Sequence, residues 1–227
     1  MKTLIYIFTF VLTSTAIAQN NNSVAFEIQK LQQAKAYNDE AAMVNTIYAL
    51  IAMEGPQSSY KDSLAYMYFS QRNYVSCFLV TNDLLKSKPD NIELLEMSAV
   101  SLESMGGLAK AKETYTTLFS KSNNSYHAYK LAGLEYRMNE NEKAYVTIKN
   151  ASQLPDNGDL KITFQVNENY NQNIDLKAAI FYLKGLIAVD MKKKEEARAS
   201  FEHAIQLSPD FVLAKSKLEV LDALETE

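Results

Sequence analysis

Apolar side chains recur at intervals of three and four along most of the chain. After Asp90-Asn91 they fall at Ile92, Leu94, Leu95, Ala99 and Leu102, with Ser98 on the same stripe. Gly106-Gly107 interrupts the run, and Leu108, Ala111, Tyr115, Leu118 and Phe119 start a second stripe. This spacing predicts amphipathic helices, and the glycine pair predicts a short turn joining two of them antiparallel. One stretch breaks the period. Residues Leu160 to Val166 alternate and are rich in β-branched and aromatic side chains. A polar, turn-prone run, Asn167 to Asn171, follows, and then Gln172 to Leu176. The pattern predicts a short β-hairpin within residues 156–176, with an extra irregular helix as the alternative. Two strands are marginal alone, so the hairpin has to lean on the helices. Residues 210–225 read as a final helix, with Phe211, Leu213, Ala214, Leu218, Leu221 and Leu224 on its apolar side.

The prolines punctuate this pattern. Pro56, Pro89, Pro155 and Pro209 are separated by about 33 residues, about twice that, and about 54, which is one period plus an insert. Three are followed by aspartate, at Asp90, Asp156 and Asp210. Proline cannot continue a helix and aspartate can cap the next, so Pro-Asp reads as a stop followed by a restart.

A helix-turn-helix of roughly 34 residues with small residues at fixed places resembles the tetratricopeptide repeat. The fifth unit carries Gly185, Ala188, Ala197, Phe201, Ala204 and Pro209. The fourth carries Ala132-Gly133, Tyr136, Ala144, Ile148, Ala151 and Pro155. Ala99, Leu102, Ala111 and Tyr115 mark the third, and Leu64-Ala65, Tyr68, Cys77 and Pro89 the second. The first, with Leu31, Tyr48, Ile51 and Pro56, matches least. The resemblance covers nearly all of residues 23–209. It implies an all-α fold, a right-handed superhelical solenoid of about five units with a C-terminal capping helix and a short β-hairpin insert. It places Gly133, Gly185, Ala65 and Ala99 where the two helices of a unit cross. Tyr68, Tyr136 and Phe201 fill the gaps around them, and Cys77 is a small buried thiol.

The start of the chain reads differently. Met1-Lys2 precedes a largely apolar run from Leu4 to Leu12, and Ala16-Ile17-Ala18 has the small-x-small form of a signal-peptidase site. Residues 1–18 are therefore read as a signal peptide and 19–227 as the repeat domain; an uncleaved anchor or a buried helix is the alternative. The run falls short of the roughly 20 residues that span a bilayer, and no second stretch approaches that length. No cysteine stands directly after the cleavage point, the only one being Cys77 inside a later helix, which argues against a lipoprotein. The expected location is export, to the periplasm in a Gram-negative host. The array and its Ala-Gln junction resemble exported repeat proteins of Bacteroidetes-like bacteria.

Composition removes several function classes. The 227 residues hold 23 basic and 27 acidic side chains, for a formal net charge of −4. That balance argues against a nucleic-acid binder. One cysteine excludes an intrachain disulfide, and two distant histidines, His127 and His203, argue against a metal site. No G-x-S-x-G elbow is present, and the run Lys192 to Glu196 reads as a solvated turn with acids at a helix start. A non-enzymatic protein with no cofactor is expected.

The resemblance implies that the first helix of each unit lines a concave face. In register, that face takes Asp62, Tyr66 and Phe69 from the second unit and Glu93, Glu96, Val100 and Glu103 from the third. His127, Lys130, Leu134 and Arg137 come from the fourth, and Tyr182, Leu186 and Val189 from the fifth. Rings would anchor a peptide or partner helix while charges set its register; the alternative is that the rings pack against neighbouring helices. The family's carboxylate-gripping site needs Lys, Asn and Arg at set places. Lys130 matches one, but Leu134, Asp62 and Glu96 do not, so that site is not expected. The expected function is an envelope scaffold that binds a peptide segment or partner protein along this face. A chaperone-like holder of unfolded or translocating chains is the alternative.

Overall fold

The computed structural model describes residues 23–155 and 160–223. The predicted signal peptide and the first four residues of the predicted insert lie outside the described residues, as do the last two of the predicted capping helix. The described residues open with two helices, α1 (23–36) and α2 (Glu40–Glu54). Next come α3 (Tyr60–Ser70), α4 (Tyr74–Leu84), α5 (Ile92–Ser104), α6 (Leu108–Ser122), α7 (Ser125–Arg137) and α8 (Asn141–Gln153). Strands β1 (Lys161–Asn167) and β2 (Tyr170–Asp175) precede α9 (Leu176–Asp190), α10 (Lys194–Leu207) and α11 (Val212–Ala223). The expected all-α repeat with one short hairpin is what forms. Among the described residues no helix is long and apolar enough to cross a membrane.

Five helix pairs are visible in the backbone itself. Each pair turns on one residue in the left-handed region: Asn38, Arg72, Gly106, Asn139 and Lys192. That conformation lets a helix end and reverse within two or three residues. Side-chain caps start several of the helices. Asp39 Oδ1 accepts from Ala42 N–H at 2.9 Å, Asn91 Oδ1 from Leu94 N–H at 2.9 Å, and Asn124 Oδ1 from Tyr126 N–H at 2.8 Å. The capping role expected of the aspartate after proline is not realised at Pro89; Asp156 lies outside the described residues. At Pro89 the cap is Asn91, one residue later, and Asp90 pairs instead with Lys121 at 2.6 Å.

The chain divides into two compact units, one ending at Pro89 and one beginning at Asp90. Residues 86–90 between them are exposed, and Pro89 has no amide proton with which to carry one helix into the next. The first unit holds α1 to α4, with Ile47, Leu50, Leu64, Ala65 and Cys77 buried. Here the sequence phase was off by one: Tyr48 is half exposed, and the core positions are Ile47 and Leu50. The run Ile47-Tyr48-Ala49-Leu50-Ile51-Ala52 is apolar all round, so periodicity alone cannot fix which face turns in.

The second unit holds α5 to α11 and the hairpin. Its crossing between α9 and α10 is tight: an added Cβ on Gly185 would sit 2.5 Å from Phe201 Cε1. The hairpin is antiparallel, with Ile162 opposite Ile174 and Phe164 opposite Gln172. Ile162, Phe164 and Ile174 turn into the core formed by α9, α10 and α11. Gln172 ties it down: its Nε2 donates to the Asp210 carbonyl, and its Oε1 accepts from Val212 N–H at 3.1 Å, at the start of α11. The predicted leaning of a marginal hairpin on the array is thus made by three apolar side chains and one amide.

Candidate functional site

In the first unit, α1, α2 and α3 enclose an open cleft of about 590 Å³. Leu31, Met43, Ile47, Tyr60, Tyr66 and Met67 give it an apolar lining. Tyr66 remains 67 % exposed, which is high for a ring with apolar neighbours. The polar rim is largely engaged. Lys88 Nζ donates to both oxygens of Asp62 at 2.8 Å, and Gln71 Nε2 donates to Glu40 at 2.9 Å. Asp62 and Tyr66 therefore share this cleft, and Phe69, on the same helix, is half-buried and not among its lining.

In the second unit the corresponding helices are α5, α7 and α9. Glu103 accepts from Lys130 Nζ at 2.8 Å and from Arg137 Nη1 at 3.2 Å, so these three predicted residues form one ion cluster across α5 and α7. Glu93 is exposed at the start of α5. Three of the predicted residues, His127, Leu134 and Tyr182, do not lie on an open face, and Leu134 is only 1 % exposed. His127 is 5 % exposed; its Nδ1 shares a 2.7 Å hydrogen bond with Ser122 Oγ, and its Nε2 lies 3.8 Å from Glu96. Tyr182 is buried beneath the hairpin, with the Phe164 ring edge-on to it at 5.4 Å and Phe211 at 4.9 Å. Burial pushes its phenol pKa up.

His127 is buried because the register expected for α7 is one residue out. Only Asn123, in the left-handed region, and Asn124 link α6 to α7, so the fourth unit starts one residue early. The small crossing residue is Ala132, fully buried, and not Gly133. On an added Cβ, Gly133 meets nothing within 4 Å. The residues in phase with Glu93, Glu96, Val100 and Glu103 are Tyr126, Tyr129, Gly133 and Tyr136. Sequence reasoning missed Tyr126 and Tyr129, and cast Gly133 as a crossing residue and Tyr136 as a core filler. Tyr136 Oη donates to Asp190 Oδ2 at 2.7 Å, between α7 and α9. Burial, helped by that bond, pushes the Tyr136 phenol up to about 12. Counting from Ala111 to Ala144, one short of a full period, would have exposed the shift.

The same shift puts Glu135 where the core filler was expected. It is 7 % exposed, and its Oε2 has no hydrogen-bond partner. Burial raises its pKa, partly opposed by a hydrogen bond from Thr147 and by Lys112 and Lys143, and helped by Glu140. A carboxyl whose folded pKa is raised stabilises the fold when protonated. That contribution is complete below the ordinary glutamate range and is lost as pH rises through the folded value. Glu135→Gln is therefore expected to raise stability at pH 7 by on the order of 1 kcal/mol and to flatten the decline above about pH 4.3. Urea unfolding at pH 4 and pH 7 checks it; a variant less stable than the parent at pH 7 would contradict the assignment.

Comparison with known proteins matches this geometry. Residues 178–211, which span α9, α10 and the following turn, match the family model of the tetratricopeptide repeat. No curated protein matches the sequence. Among solved structures the chain is similar to YrrB, described as a TPR protein with an unusual peptide-binding site. The TM-score is 0.67 at 14 % identity, over 91 % of this chain and 97 % of that one. It is similar to MamA, from residue 41 to its end, of Desulfovibrio magneticus RS-1, with a TM-score of 0.61 at 11 % identity, over 83 % and 97 %. PilF of Pseudomonas aeruginosa gives 0.56 at 19 % identity, over 73 % and 68 %. Likeness at these identities speaks for the fold.

Proposed function

We propose, on the premise that this chain is a tetratricopeptide-repeat protein, that it is an exported, non-enzymatic interaction module. It takes an apolar-anchored segment of another protein in the cleft of its first unit. The observation that carries this reading is Tyr66, a largely exposed ring beside Met43 and Met67 over an apolar floor. A tyrosine offers a large rigid contact, and methionines adapt to irregular partners. Such residues dominate binding energy when a partner excludes water from them. The predicted leader at residues 1–18 is what supports export.

A pull-down from envelope extract with residues 19–227 tests both parts. One stoichiometric partner is expected, and Tyr66→Ala should weaken its capture at least tenfold. The thermal midpoint should stay within about 2 °C, because an exposed side chain contributes little to folding. Many partners in similar amounts would favour a chaperone-like holder instead. A single partner retained by the variant would move the site off the cleft. Recovery of the chain uncleaved in the cytoplasm would overturn export.

A further inference from the structure

Gly133 has no structural reason to be glycine. It lies inside α7, where glycine costs stability relative to alanine. The other glycines among the described residues can be accounted for; Gly158 lies outside them. Gly185 makes room for Phe201, Gly55 and Gly106 adopt positive φ, and an added Cβ on Gly107 would lie 3.3 Å from the Leu102 carbonyl oxygen. At Gly133 the space is open. What a helical glycine supplies there is room for another molecule to approach the helix closely.

Its surroundings suit a side chain from outside. Tyr129 and Tyr136 stand one turn to either side on α7, and Tyr136 is held in place by Asp190. At the equivalent places on α9, Leu186 is half-buried and Val189 is 39 % exposed. The charge on this face is lopsided. Glu93, Glu96, Glu103 and Asp190 outnumber Lys130 and Arg137, and both of those cations are already engaged by Glu103. An incoming segment with its own lysines or arginines would balance the excess, whereas an acidic one would be repelled.

We propose that Gly133 floors a docking notch on α7. It takes an apolar or aromatic side chain flanked by basic residues, from an extended segment of a partner protein. This goes beyond the first-unit cleft and does not depend on it.

The test uses the mature chain, residues 19–227, and two amidated pentapeptide probes, Lys-Phe-Lys-Leu-Lys and Glu-Phe-Glu-Leu-Glu, titrated by NMR. The basic probe should shift the Gly133 and Tyr136 amides saturably, and the acidic one should bind at least tenfold more weakly. Gly133→Leu should weaken the basic probe at least tenfold without lowering the thermal midpoint, and Gly133→Ala should raise that midpoint. Tyr66→Ala should leave the titration unchanged. Absence of a saturable shift at Gly133, equal affinity for both probes, full binding by Gly133→Leu, or a lowered midpoint in Gly133→Ala would each overturn the proposal. Loss of binding in Tyr66→Ala alone would overturn the notch and leave the cleft standing.

Discussion

Gly185→Ala is expected to destabilise the second unit by about 2 kcal/mol. The added methyl would lie 2.5, 2.7 and 2.8 Å from three carbons of the Phe201 ring. That ring has nowhere to go. It is fully buried, it contacts Tyr182 at 5.9 Å between centroids, and Ala197 and Ala204 share its cluster. Overpacking of this kind costs about 1–3 kcal/mol and can cost more, while alanine returns up to about 1 kcal/mol of helix propensity. Phe201→Leu alone should also destabilise, because it leaves a void. Combined with Gly185→Ala it should cost less than the sum of the two, since the smaller side chain vacates the space the methyl needs. Urea unfolding of the parent, both single variants and the double gives the coupling. Additive costs would show that the helices cross more loosely than their geometry implies.

Phe164→Ala should release the hairpin at a cost of about 2–3 kcal/mol, below the full range for a buried phenylalanine because Phe164 is only half-buried. The ring links the hairpin to α9 and to the residue before α11, through Tyr182 and through Phe211 at 5.1 Å. Without it, Ile162, Ile174 and the Gln172 amide are left to hold the strands, and a two-stranded hairpin has little stability of its own. Hydrogen exchange separates this from general loosening. The amides of Ile162 and Ile174 should exchange faster, whereas those of α3 and α4, in the other compact unit, should keep their rates. Equal acceleration in both units would refute a local role for Phe164.

The candidate site was legible in part. Tyr66 and Asp62 were placed correctly on α3 because the second unit keeps the full period from Ala65 through Cys77 to Pro89. Lys130, Arg137 and Glu103 were selected as separate groove residues, and they do meet, as one ion cluster. The cleft itself was not foreseen, because it depends on α1 and α2, whose match to the repeat is the weakest. Gly133 was singled out for the wrong reason, as a crossing residue, since a glycine in a repeat motif looks the same on paper whether it faces in or out.

By itself the sequence determined the architecture. Period-three-and-four stripes, prolines in phase and one alternating segment specify helix pairs and a hairpin, since these are local patterns set by backbone geometry. Phase and burial belonged to the tertiary structure. A link of two asparagines between α6 and α7 rotates the fourth unit by one residue, about 100° around a helix, which hides His127 and presents Gly133. The hairpin covers Tyr182, far from it in type of element though near in sequence. Both outcomes rest on which neighbour a side chain meets in space, and a periodic pattern carries no information about that.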